Sequence, residues 1–186
     1  MKRLLSKEEI EAKETRNKTI LSIILVLLLV FSSVGYAFYQ SSSTKKEKVE
    51  YKDIEFAKES DGLWHFFIGE SEFATYYNPL ETENMSSDIS LNFNDYYQKK
   101  VYFSQSSILE GADEISRNLG RFAYFQYACL GECEENFPEK NCSDNIIIIQ
   151  ESSENLIKQE ENCIYIMTSQ ENVIKASDKF LFSILL

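Results

Sequence analysis

Proline and glycine are scarce, at two and six residues in a chain of 186. Long disordered linkers are therefore not expected. Histidine occurs once, as His65. A Ser-His-Asp triad has only that residue to form around, and no G-x-S-x-G elbow accompanies it. His65 follows Trp64 in an expected strand, where a lone histidine reads as structural. Neither G-x-G-x-x-G nor a phosphate loop is present. Positive charge is also short: 19 Lys and Arg stand against 30 Asp and Glu, for a net charge of −11. That balance repels nucleic acid and anionic lipid, so no nucleic-acid role is expected.

The longest feature present is a charge-free stretch. No charged residue falls between Lys18 and Lys45, and Ile20 to Phe31 is almost purely aliphatic. About twenty helical residues rise roughly 30 Å, the thickness of a bilayer's hydrocarbon core. A transmembrane helix is expected over 19–39, after a cytoplasmic tail at 1–18. Basic residues near the helix number six before it (Lys2, Arg3, Lys7, Lys13, Arg16, Lys18) and three after it (Lys45, Lys46, Lys48). The positive-inside rule then leaves the N-terminus in the cytoplasm and sends the rest outside. Tyr36, Phe38 and Tyr39 sit where aromatic rings favour the headgroup layer. The competing reading is a signal peptide, since Ser33-Val34-Gly35 and Gly35-Tyr36-Ala37 are small-x-small sites. Against it, the n-region is long and mixed in charge. A type IV pilin would need an acid early in the apolar run, and there is none.

A short Ser/Lys-rich stalk at 40–50 leads to an exported domain at 51–186, long enough for one hydrophobic core. All four cysteines lie there: Cys129, Cys133, Cys142 and Cys163. An even number outside the cytoplasm suggests disulfides. Three connectivities are open. The preferred one joins Cys133 to Cys142 around Pro138, and Cys129 to Cys163. The spacing C-x3-C-x8-C-x20-C lacks the tight pairs of a zinc site and misses the C-x-x-C redox motif by one residue.

Short strands at 51–58, 63–68 and 73–77, punctuated by Ser60-Asp61-Gly62 and Gly69-Glu70, predict an aromatic-rich β-meander. Alternation of Ile89, Leu91 and Phe93 predicts another strand. Then come a strand at 101–104, a helix begun by a Ser107–Glu110 capping box and ended at Gly120, and a strand from Phe122 to Cys129, together a βαβ-type unit. Ile146 to Ile149 suits a strand covered on both faces. Residues 152–157 read as a turn or short helix, and Cys163 to Met167 as a strand. Thr168 and Glu171 spell a second capping box for a C-terminal helix. The expected fold is α+β.

Tyr76-Tyr77-Asn78-Pro79-Leu80-Glu81 ends the aromatic hairpins. Asn162-Cys163-Ile164-Tyr165-Ile166 and Ala176-Ser177-Asp178-Lys179-Phe180-Leu181 mark the tail. In these stretches the chain resembles uncharacterised archaeal single-pass membrane proteins with a small exported mixed α/β domain. The resemblance implies topology and nothing catalytic.

Other groupings read as scaffold. Glu132, Glu134, Glu135, Glu139 and Asp144 lack the alternating pattern of a calcium loop and suit a solvated loop. Trp64, Phe66, Phe67, Tyr76, Tyr77, Tyr96, Tyr97, Tyr124, Phe125 and Tyr127 are expected mostly as sheet-face packing. Asn84 and Asn141 head glycosylation sequons in the exported part. No catalytic residue, metal or cofactor is expected. The function this leaves is a membrane-anchored, extracytoplasmic binding or assembly module of the cell envelope. It would contact membrane lipid through residues 19–39 and an envelope protein through the domain. The alternative is an exported enzyme, a hydrolase or a thiol-disulfide oxidoreductase.

Overall fold

The computed structural model describes residues 16–31, 47–131 and 137–186. The chain divides into two compact units, Met1–Lys45 and Lys46–Leu186. In the first, residues 16–31 form a helix, α1, with every residue exposed. That length rises about 24 Å. Among the described residues no helix is long and apolar enough to cross a membrane. The remainder of the expected span lies outside the described residues.

The second unit opens with a four-stranded antiparallel meander, β1 (Lys48–Tyr51), β2 (Ile54–Lys58), β3 (Trp64–Ile68) and β4 (Ser71–Thr75), in that spatial order. Strand β1 begins inside the stretch expected to be stalk. The single strand expected over 51–58 is a hairpin instead. Lys52 and Asp53 turn it with φ of 50° and 63°, both left-handed as a two-residue hairpin of the right twist requires. Period-two alternation puts Phe56, Trp64, Phe66 and Phe73 on one buried face.

The other sheet has seven strands: β5 (Ser86–Asp88), β6 (Lys100–Ser104), β7 (Tyr124–Leu130), β8 (Glu139–Lys140), β9 (Ile146–Glu151), β10 (Leu156–Glu160) and β11 (Cys163–Thr168). Their order is β5-β10-β11-β9-β6-β7-β8. Every neighbouring pair is parallel except the β10–β11 hairpin. Central β9 buries all four of its isoleucines, as a strand covered on both faces does. Of the stretch expected as a turn or short helix, 152–155 bends between β9 and β10, while Leu156 and Ile157 already belong to β10, where pairing with β5 and β11 decides the conformation.

Among the described residues of the unit there are three α-helices, α2 (Phe93–Tyr96), α3 (Leu109–Leu119) and α4 (Val173–Leu185), the last preceded by a 3-10 turn at Gln170–Asn172. Helix α2 stands where the Ile89–Leu91–Phe93 alternation predicts a strand. Asn92 caps it, and Asp95 closes a reciprocal capping box. Helix α3 connects parallel β6 and β7, so the βαβ unit is present. Neither expected capping box forms at α3 or α4. Ser107 Oγ instead donates to the Ile147 carbonyl and accepts from the Ile149 N–H, which ties the start of α3 to β9. Thr168 Oγ1 donates to Asn155.

Helix α4 packs on β11, β10 and β5. Its Phe182 meets Phe56 and Phe66 of the meander at ring separations of 5.8 and 5.9 Å. The helix thus lies between the two sheets, which is why Val173, Ala176, Phe180, Leu181, Phe182 and Ile184 are all buried. Gly111 lets α3 approach it. A Cβ at that position would sit 2.8 Å from Ser177 Oγ and 2.9 Å from Ile149 Cδ1. The far face of the seven-stranded sheet carries a smaller cluster of Tyr102, Ala128, Ile146, Ile148 and Cys163.

Candidate functional site

Between the meander and the C-terminal half of α3 lies a cleft of about 190 Å³. It is lined by His65, Glu72, Phe73, Ala74, Arg117, Asn118 and Arg121. A drug-sized ligand takes roughly 300 Å³ or more, so this space suits one functional group.

Its floor is a buried polar network in the helix–helix seam. Glu114 and Asn118 fall four residues apart on α3, on the same stripe as Gly111 and Ile115, and are 3% and 4% exposed. Arg117 Nη2 donates to both Glu114 carboxylate oxygens, and Asn118 Nδ2 adds a bond of 3.0 Å to Oε1. Asn118 Oδ1 accepts the Ala74 N–H at 3.0 Å, capping the meander's edge. From α4, fully buried Asp178 accepts the Tyr77 N–H on Oδ2 at 2.9 Å. Its Oδ1 has no donor. Burial first, and then the Glu114 carboxylate in hydrogen-bond contact, holds the Asp178 carboxyl well above the ordinary carboxylate range; the Tyr77 N–H and Arg117 oppose this only in part. A carboxyl that keeps its proton has an O–H to donate, and Glu114 is the neighbouring carboxylate that acts on it. Arg117 and Asn118 separate this carboxyl pair from the cleft.

At the mouth, His65 Nδ1 lies 2.8 Å from Glu72 Oε1, and Nε2 lies 2.9 Å from Asp61 Oδ2. Ionised carboxylates only accept, so both ring nitrogens donate and the ring is an imidazolium. Partial burial works against the charge, and the bonds to Glu72 and Asp61 outweigh it, leaving the pKa raised. The stabilising charge is present below histidine's ordinary value and is lost as pH rises through the raised one. A ring held this way offers no lone pair to a substrate.

Arg121 differs from its neighbours. Its guanidinium lies over Phe73 at 5.0 Å and over Phe122 at 4.7 Å. Among the described residues no carboxylate pairs with it, whereas Arg117 is occupied by Glu114. The cleft therefore presents a guanidinium held over two rings that, among the described residues, makes no ion pair, while Glu72 in the same lining is engaged by His65.

The other expected site residues are dispersed. Cys142 and Cys163 are bonded to each other, with Cα atoms 4.9 Å apart. Both halves of the preferred pairing are thereby overturned. Backbone geometry decides it: Asn162 N–H bonds the Cys142 carbonyl at 3.0 Å, so the loop before β9 lies beside the start of β11. Cys129 is disulfide-bonded too, and Cys133 lies outside the described residues. So do Glu132, Glu134 and Glu135; Glu139 is exposed in β8, and Asp144 pairs with Lys140 at 3.2 Å. Asn84 and Asn141 are exposed, and Asn141 Oδ1 accepts from its own sequon's Ser143 hydroxyl at 2.6 Å. Among the aromatics, Trp64, Phe66 and Tyr96 are core, but Phe67, Tyr76, Tyr97, Tyr124 and Tyr127 are exposed.

Sequence reasoning passed over Glu114, Arg117, Asn118, Arg121 and Asp178. The available signal was polar residues falling inside apolar helical stripes. Comparison with protein-family models, with curated proteins and with solved structures finds no match.

Proposed function

We propose that this protein is a non-catalytic binding or assembly module of the cell envelope. In this reading residues 19–39 hold it in the membrane, and the domain faces outward, as in the archaeal single-pass proteins it resembles. The single observation that carries the binding role is Arg121. Stacking on two rings fixes the guanidinium plane at low entropic cost, and a planar fork with free donors is matched to a carboxylate. The cleft's size admits an acidic side chain or a chain-terminal carboxylate from a partner protein. The enzyme alternative has less support, because His65 has no free nitrogen and the buried carboxyl pair sits behind Arg117.

The binding test is titration of the full chain in nanodiscs with a short terminally blocked peptide bearing one Glu. Saturable binding is expected, with Arg121→Ala weakening it about tenfold or more, as loss of a charge-assisted hydrogen bond does, and Arg121→Lys recovering part. Equal binding by wild type and Arg121→Ala, or none by either, overturns the reading. The topology is read in sealed inside-out vesicles, where added protease is expected to spare the domain until detergent opens them. Digestion before detergent overturns the outward placement.

A further inference from the structure

Among the described residues each edge strand of the two sheets carries charge or cover, but the edge strand β8 (Glu139–Lys140) is two residues long and leaves most of β7 without an outer neighbour. Strand β1 carries Lys48 and Glu50, β5 ends in Asp88, and β4 is capped through Ala74 by Asn118. Strand β7 is different. From Phe122 to Leu130 there is no charged residue, although the chain carries −11. Its inner side pairs with β6 from Tyr124 to Ala128, while on its outer side β8 covers only Cys129 and Leu130.

Hydrogen-bond parity shows which groups face away from β6. Tyr124 N–H bonds the Lys99 carbonyl, and the Ala128 carbonyl accepts from Gln105, so 124, 126 and 128 face β6. Cys129 N–H bonds Pro138 on the other side. The N–H and C=O groups of Phe125 and Tyr127 therefore point outward, along an edge where Tyr124 is 66% and Tyr127 39% exposed. An uncharged aromatic edge of this kind is a template for another strand.

We infer that this edge pairs with β7 of a second copy of the chain, antiparallel about a two-fold axis through Gln126. The charge pattern selects this occupant. A partner of different sequence selected by charge would meet charge on this edge, and β7 carries none. A second copy of so acidic a chain is repelled least where it meets no charge, and β7 from Phe122 to Leu130 has none of its own. The register is also self-consistent. With Gln126 opposite Gln126 of the second copy, Phe125 and Tyr127 exchange both backbone bonds across the axis. Their rings then form an aromatic cross-strand pair on each side. Both rings are already ordered against Phe103, at 5.0 and 6.0 Å.

On the axis, Gln126 occupies a non-hydrogen-bonded pair, where Cα atoms approach to about 4.5 Å, within the span of a disulfide. The full chain in detergent is expected to sediment as a concentration-dependent dimer. Gln126→Cys should cross-link between chains on mild oxidation, and Glu154→Cys, also exposed but distant from β7 in sequence and sheet, should not. Gln126→Lys places like charges face to face without touching the monomer's core, and should raise the dimer dissociation constant about tenfold or more. Overturning results are a monomer at all concentrations, equal cross-linking at Glu154→Cys, a dimer indifferent to Gln126→Lys, or Gln126→Cys bridging to a different protein.

Discussion

A chain carrying Asp178→Asn is expected to lose less stability than the wild type on raising the pH, the two profiles diverging by up to about 1.4 kcal/mol per unit across the interval set by this one group. The sign follows from proton counting. Above the ordinary carboxyl value of 3.8, the unfolded chain has released the Asp178 proton, while the folded domain, whose value is raised, retains it. The folded state then binds the extra proton, so stability falls with pH until the folded pKa is passed. Asparagine imitates the protonated acid: its oxygen accepts the Tyr77 N–H, and its amide donates to Glu114. All other titrating groups are common to both proteins, so the difference between the two pH profiles isolates this group. Trp64, the sole tryptophan and 1% exposed, reports unfolding in urea. Parallel profiles would show that Asp178 is ionised in the fold. Asp178→Leu is expected to cost about 3 kcal/mol or more at neutral pH, because it strands the Tyr77 N–H and removes Glu114's neutral partner.

That network explains why the fold was more legible than the site. The aromatic hairpins, the βαβ unit, the four-isoleucine strand and the closing helix each announce themselves through local periodicity. The errors occur where a side chain serves a distant element. Ser107 and Thr168 spell capping boxes, yet one is bonded to β9 and the other to Asn155. Lys52 and Asp53 adopt the left-handed pair normally supplied by Asn-Gly, which composition alone does not suggest. At the cleft, Ala74 and Asn118 are 44 residues apart, and Tyr77 and Asp178 are 101 apart. Each polar residue shows in the sequence as an interruption of an apolar stripe. That the interruptions meet depends on α4 inserting between two sheets, which no local pattern encodes.

Replacing both Cys142 and Cys163 with alanine is expected to destabilise the domain by about 3 kcal/mol. The bond spans 21 residues, through β9 and β10. Opening it restores to the unfolded chain the entropy that closure of such a loop removes. Alanine is the appropriate replacement because Cys163 is fully buried against Tyr102, Ala128, Ile146 and Ile148, where a serine hydroxyl would lack a partner. Reductant on the wild type should cost at least as much, since Cys129 is also disulfide-bonded; the double variant assigns the share of the one bond. The midpoint of Trp64 fluorescence in urea measures both. A loss below about 1 kcal/mol, or thiols that titrate in the native chain without reductant, would remove the staple from the account. A loss near the expected size is a large part of a small domain's stability, so the fold would then depend on an oxidising environment. That dependence is what an outward-facing domain can meet and a cytosolic one cannot.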